Sequence, residues 1–250
     1  MGQDPISREV EFEGILNFRD LGGYAVDDGR QVAWRHVFRS GGLWDATPAD
    51  VLRLRKEIGL RSVLDLRDKK EIESRSCRPA TAGMTYVNIP LSTDSGNIGA
   101  VELVRSLGDI GKAYLLNMQD KSYGRRLVEC LQVIAEADHP LVFHCSAGKD
   151  RTGVLAACLL SVLGVDSGDI ITDYMLTEPY MTRHIERMSR DPDDATFLKS
   201  LPAFIFRASA ASMELFLSTM KQNYGSIRDY LLMHGADRSL FGRLEQGLLI

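Results

Sequence analysis

The sequence holds 250 residues, 44% of them hydrophobic and 26% charged, with a net charge of −4. That length can bury the core of one large α/β domain or two small ones, and no apolar run approaches the roughly 20 residues that span a bilayer. The charge balance carries no basic excess of the nucleic-acid-binding kind, and Cys77, Cys130, Cys145 and Cys158 form no Cys-x-x-Cys pair, which argues against a zinc site, a redox pair or a disulfide framework.

In chain order, Met1-Gly2-Gln3-Asp4-Pro5 lacks the basic-then-apolar pattern of a signal peptide, and Ile6 stands where a myristoylation signal carries Ser or Thr. The expected compartment is the cytoplasm, with export by a route that needs no N-terminal signal as the alternative. Ile15–Asp20 and Val32–Arg39 flank a turn at Asp27-Asp28-Gly29-Arg30 and predict a hairpin. Thr47 as cap and Pro48 in the first turn start a helix that Gly59 stops. Ser62–Leu66 and Met84–Leu91 have the length and apolarity of strands. A mostly helical stretch runs from about Gly99 to Asp138, with Leu127, Val128, Leu131, Ile134 and Ala135 on one face. Leu141–His144 reads as a buried strand and Thr152–Leu163 as an apolar helix closed by Gly164. Helix then follows helix to Ile250. Strands separated by helices predict an α/β fold, a central and mainly parallel sheet with helices packed on it. No Pro/Gly/Ser-rich linker divides the chain, so 1–250 is expected to form one domain, with 166–230 covering a sheet face or forming a lid.

The segment between the Leu141–His144 strand and the helix that follows carries the chemistry. His144-Cys145-Ser146-Ala147-Gly148-Lys149-Asp150-Arg151-Thr152-Gly153 lies at a strand carboxyl end, where α/β sheets bind ligands. Cys145 precedes a helix N-terminus, whose unpaired amides and dipole favour a thiolate. The amides from Ser146 to Arg151 can ring a phosphate dianion, and Gly148 lets the backbone curl without a Cβ clash. Arg151 can clamp two equatorial phosphoryl oxygens, which Lys cannot do. Thr152 brings a hydroxyl to stabilise the sulfur. A nucleotide-binding P-loop is excluded, because Asp150 rather than Ser or Thr follows Gly148-Lys149.

Cys, five residues, Arg and Thr, with His before the Cys and Arg-Thr-Gly at the end, resemble the signature of the cysteine-dependent phosphatase superfamily. Asn17-Phe18-Arg19-Asp20-Leu21-Gly22-Gly23, Lys149-Asp150 in the loop and Asp173-Tyr174-Met175-Leu176 resemble its bacterial and fungal tyrosine phosphatases, whose loop reads HCxxGKDR. The resemblance runs from about Ile15 to Leu249. It implies a phosphotyrosine phosphatase-like fold, a phosphocysteine intermediate on Cys145, no cofactor, and phosphotyrosine substrates, extending in some members to phosphoserine, phosphothreonine and phosphoinositides.

The reaction needs an acid for the leaving oxygen and then a base for water. Trp34 and Trp44 are not followed by Pro-Asp, so the separate acid loop of many tyrosine phosphatases is missing. Asp150 leads as the acid, with Asp65, Asp68 and Asp94 as alternatives and a structural carboxylate as its bland reading. Arg19 and Asp20 either buttress the loop or form a strand-end ion pair. Arg67 either approaches phosphate or is solvated. Lys149 either favours additional phosphates or only raises the local potential. His144 is expected to hydrogen-bond the loop rather than hold a metal. Two rival functions share parts of the pattern: an inactive phosphatase-like module that docks phosphorylated partners, and a rhodanese-type sulfur transferase. The intact Cys145, Arg151 and Thr152 disfavour the first, and the long polar loop disfavours the second. The sequence carries no sign of oligomeric state.

Overall fold

The computed structural model describes residues 7–92 and 105–250. Its sheet has the order β1-β2-β5-β3-β4, built from β1 (Arg19–Asp20), β2 (Val37–Ser40), β3 (Ser62–Asp65), β4 (Thr85–Asn88) and β5 (Leu141–His144). β2, β5, β3 and β4 are parallel, and β1 is antiparallel to β2. The helices are α1 (Pro48–Arg53), α2 (Lys69–Ser74), α3 (Arg78–Thr81), α4 (Ile110–Gln119), α5 (Lys121–Glu136), α6 (Asp150–Leu163), α7 (Ser167–Met175), α8 (Glu178–Met188), α9 (Pro192–Ser200), α10 (Ala210–Tyr224), α11 (Ile227–Met233) and α12 (Arg238–Leu248). A 3-10 turn, Ala203–Phe206, links α9 to α10.

Successive strand residues point to opposite faces of a sheet, and the core divides accordingly. Val37, Leu64, Leu141 and Phe143 join the larger cluster with α5, α6 and α10 to α12. Phe38, Val63 and Val142 join a smaller cluster with Phe12, Ile15, Leu54 and Ile58. With both faces covered, the central strands are apolar without alternation, as buried parallel strands are. α6 is buried on nearly every side, and each fully buried Leu or Val in it contributes about 1.5–3 kcal/mol.

The predicted hairpin is present but shorter. Arg19 pairs with Arg39 and Asp20 with Phe38, and Ala25 bridges Gln31 around the turn. Asn17 at φ 60° and Arg35 at φ 62° take the left-handed region, which interrupts the extended chain on either side. The Thr47 helix opens with a capping box to Asp50, and Gly59 ends its final wide turn at φ 70°. The Met84–Leu91 strand shrinks to Thr85–Asn88, because Pro90 has no amide for the ladder. The predicted helical stretch from about Gly99 is α4 and α5, its first residues lying outside the described ones. The helix expected from Thr152 starts at Asp150, whose carboxylate suits a first turn. Within 166–230, α7, α10 and α11 send Ile170, Tyr174, Met213, Phe216, Met220 and Tyr230 into the larger core. In α8 only Met181 is buried, and α9 has no buried residue.

β2, β5 and β3 end level, with Ser40 and Asp65 both paired with His144. The chain therefore leaves three neighbouring strands at one edge: Gly41 and Gly42, then Cys145 to Lys149, then Leu66 to Asp68.

Candidate active site

The loop after β5 is shaped by donors that pull its carbonyls outward. Gly42 N–H donates to Ser146 O at 2.8 Å. Asn17 Nδ2 donates to Ala147 O at 3.0 Å and Gly148 O at 3.1 Å, and Arg39 Nη2 donates to Gly148 O at 2.8 Å. In a trans peptide the N–H points opposite to its C=O, so the amides of Ala147, Gly148 and Lys149 turn the other way, toward the inside of the loop. Gly148 makes this curl possible. It sits at φ 71°, and a Cβ there would lie 2.5 Å from Ser40 O. Cys145 opens the loop, 3% exposed.

Behind the loop lies a buried ionic cluster. Asp173 on α7 accepts from Arg19 Nε at 2.9 Å and from Arg39 Nη1, and its backbone carbonyl accepts from Arg19 Nη2 at 2.8 Å. Asn17 Oδ1 also accepts from Arg19, and Thr177 Oγ1 accepts from Arg19 and Asn17. Burial pushes the Asp173 carboxyl up, but Arg19 and Arg39 outweigh it and hold the group at about 2. The Arg39 guanidinium, drawn down to about 10 by burial and by Arg19, stays charged. Arg19 thus buttresses the loop through Asp173. Asp20 does not: its carboxylate accepts from Gly22 N–H and Arg35 N–H at 2.7 Å and fastens the hairpin instead.

Arg151 in the first turn of α6 is gripped by Glu71 of α2 through two parallel bonds, Nη1 to Oε2 at 2.5 Å and Nη2 to Oε1 at 2.7 Å. Burial works against its charge, but Glu71 and then Cys145 raise its pKa further. Glu71 is lowered in return, Arg151 outweighing burial. The guanidinium carries five N–H groups, so its Nε–Nη2 edge keeps two for another anion. Asp150 Oδ1 accepts from Tyr114 Oη at 2.5 Å and lies 3.1 Å from Lys149 Nζ.

Several expected residues are engaged elsewhere. Lys149 is buried, and its ammonium donates to the carbonyls of Ile205 and Arg207 rather than facing the loop interior. Arg67 is neither at the phosphate position nor solvated. It makes a forked pair with Asp65, donates to Arg75 O at 2.8 Å and reaches Cys77 Sγ at 3.0 Å. Asp65 also accepts from Tyr86 Oη at 2.7 Å, and His144 and Arg67 overcome burial to hold it at about 2. A carboxyl so held is a poor proton donor. Asp68 caps α2, accepting from Glu71 N–H at 2.9 Å. Asp94 lies outside the described residues. His144 Nδ1 bonds Cys145 O at 3.1 Å, and burial lowers its pKa against the pull of Asp65. Asp65, Cys77 and His144 come together as three ligand types, but the Arg67 cation already fills that cluster. The buried Thr152 hydroxyl has no hydrogen-bond partner among the described residues.

A cleft of about 340 Å³ opens beside Ser146, lined by Gly41, Gly42 and Trp44 below and by Arg75, His184, Arg187 and Arg190 around it. α8 arches over it. Arg75 bonds Asp194 and Met188, and Arg187 bonds the carbonyls of Glu13 and Gly14. Burial, with Arg75 and Arg187 nearby, lowers His184 to about 4.

Sequence reasoning missed Glu71, Arg39 and Tyr114 and did not assign roles to Asn17 and Asp173. The last two lay within quoted motifs. The others stand in unrelated segments, and only the sheet order brings them to the loop.

A family model described as the tyrosine phosphatase family matches residues 10–250. A Cupriavidus necator protein bearing a tyrosine-protein phosphatase name is 33% identical over 67% of this chain and 62% of its own length. The chain thus spans less than two thirds of that relative. The triple specificity protein phosphatase PtpB of Mycobacterium tuberculosis is 25% identical, covering 96% of this chain and 98% of its own. Among solved structures, the core catalytic domain of the PP-IP phosphatase SIW14 from S. cerevisiae aligns with a TM-score of 0.40 at 17% identity, over 67% of this chain and 78% of that one.

Proposed function

The chain belongs to the tyrosine phosphatase family, and from that membership we propose that it hydrolyses phosphomonoesters through a phosphocysteine on Cys145. The Cys145 thiolate attacks phosphorus, the bond from phosphorus to the leaving oxygen breaks, and Asp150 gives that oxygen its proton. Water then attacks the phosphocysteine, Asp150 takes a proton from it, and inorganic phosphate leaves with the thiolate restored. Arg151 binds equatorial oxygens with its Nε–Nη2 edge, and the inward amides of the loop share the charge that builds on them. Ser146, Ala147 and Gly148 contribute backbone rather than side chains. The Thr152 hydroxyl, without a partner among the described residues, is available to the sulfur as the intermediate forms and breaks.

The observation that supports this reading best is the loop itself, with its carbonyls tied outward and Arg151 forked by Glu71. Substrates are phosphotyrosine proteins first. Phosphoserine, phosphothreonine and phosphoinositides are admitted on the likeness to PtpB, whose name records triple specificity, with the arginines of the cleft beside Ser146 as the groups that would meet further phosphates. Residues 1–250 act as one phosphatase domain in the cytoplasm, without a cofactor. Within 166–230 the part that would cover the site is α8 with the start of α9, a reading supported by their residues lining the cleft while α7, α10 and α11 are core. No helix among the described residues is long and apolar enough to cross a membrane.

The test is hydrolysis of a small aryl phosphate by wild type and Cys145→Ser at pH 5 to 7. Loss of turnover in the variant, with phosphate release otherwise stoichiometric, is expected. Equal rates would end the proposal.

A further inference from the structure

Asp150 is held by one of its two oxygens only. Oδ1 accepts from Tyr114 Oη at 2.5 Å and lies 3.1 Å from Lys149 Nζ, while Oδ2 has no hydrogen-bond partner among the described residues. Tyr114 is itself fixed. It is 3% exposed, its ring packs edge-on against Tyr174 and Phe216, and its hydroxyl lies 2.8 Å from that of Tyr174. α4 is locked against α10 at the same level: Asp109 Oδ2 accepts from Ser212 Oγ at 3.1 Å, and a Cβ at Gly111 would lie 2.3 Å from Ser212 O. Tyr174 in turn packs on Gly153, one turn into α6.

We propose that Tyr114 is the positioning residue of Asp150, whose transferable proton is thereby carried on Oδ2. Tyr114 donates to Oδ1 and the Lys149 ammonium lies 3.1 Å from it, so both favour negative charge on that oxygen and leave the proton to Oδ2. The free Oδ2 gives the proton to the leaving oxygen and takes one from water in the second step. Burial and the neighbouring Asp150 raise the Tyr114 phenol well above its ordinary range, so it stays a donor throughout. The inference rests on Asp150 being the acid, which the function proposed above requires.

The test compares kcat/KM, which reports the first phosphoryl transfer, on two esters. Phenyl phosphate needs a proton on its leaving oxygen, and 2,4-dinitrophenyl phosphate does not. Tyr114→Phe keeps the ring and its packing. It is expected to lose roughly tenfold on the phenyl ester, a part of the 10²–10⁴ that acid catalysis supplies, and less than about twofold on the dinitrophenyl ester. In an Asp150→Asn background it is expected to add nothing further, because the group it orients is gone. Equal losses on both esters, or a full additional loss in the Asp150→Asn background, would overturn the positioning role. If Asp150→Asn itself lost equally on both esters, the acid assignment would fall and this inference with it, while Cys145→Ser would still report on the phosphocysteine.

Discussion

The side chains that decide the chemistry reach their places through single, directional contacts. Glu71 shows this best. It closes the α2 capping box with Asp68 and holds both terminal nitrogens of Arg151. A bidentate carboxylate fixes the plane of a guanidinium as a single contact cannot. Glu71→Gln removes the charge and one acceptor while keeping the length of the side chain. We expect kcat/KM on an aryl phosphate to fall by about tenfold, with weaker inhibition by inorganic phosphate, and the melting temperature to drop by only the few degrees that a loss of about 1 kcal/mol at a helix cap produces. Unchanged phosphate inhibition would mean that Arg151 is oriented without Glu71. Cys145 and Arg151 were legible because one loop carries both. Glu71 was not, because it stands 80 residues from its partner and nothing in Lys69-Lys70-Glu71 marks it. Lys149 misled for a related reason: adjacency in the loop says nothing about which carbonyls lie within its reach.

At the scale of elements, the loop works only because β2 passes close beneath it. Gly148→Ala places a methyl against Ser40 O and Gly41 N and demands a left-handed φ of 71° from an L-residue. The loop must shift, and its inward amides shift with it. A loss of at least about 100-fold in kcat/KM, with stability reduced by about 1–3 kcal/mol, is expected from aryl phosphate assays and urea melts. Wild-type kinetics would show that the amides do not hold the substrate. α8 behaves differently, since its buried contact is Met181 and its other anchors are long polar side chains. His184 is held at about 4 by burial and by Arg75 and Arg187, with Lys149 acting the same way and Asp150 against it. Its pKa is depressed below the ordinary value near 6.5, so protons favour the state in which it is released. As pH falls from about 6.5 toward 4, α8 is expected to open more, by about twentyfold at pH 5 relative to pH 7, read as amide exchange over 178–188 corrected for intrinsic rate. His184→Gln removes that dependence, and a variant that kept it would locate the proton elsewhere. The helical character of this region was readable from the sequence, but its division into elements and between core and cover was not. α7 and α8 are both amphipathic, and only packing reveals that α7 lies against α6 and α10 while α8 lines the cleft.

Over the whole molecule, the parallel sheet and its two covering layers followed from strands alternating with apolar helices. Their purpose at one edge did not, because Arg19, Arg39, Arg67, Asp65 and Asp173 are each 3% exposed or less, an arrangement that composition argues against. These charges survive burial by pairing, and the pairing ties the fold's stability to pH. Asp173 is the anion shared by Arg19 and Arg39, so removing its charge leaves two buried cations uncompensated. Asp173→Asn is expected to lose about 3–5 kcal/mol near neutrality. Its folded carboxyl lies at about 2, below the ordinary value near 4, so the unfolded chain takes up the proton first as the solution is acidified. The stability it contributes is therefore complete above about pH 4 and is lost as pH falls through the folded value near 2. The difference in unfolding free energy between wild type and Asp173→Asn, measured by urea at each pH, is expected to stay level from pH 7 to about 5 and to narrow by about 2 kcal/mol on the way to pH 2. Taking the difference cancels the groups common to both proteins, Asp65 and His184 among them. A gap that stayed constant down to pH 2 would mean that Asp173 is no more acidic folded than unfolded, and that Arg19 and Arg39 hold the loop without it.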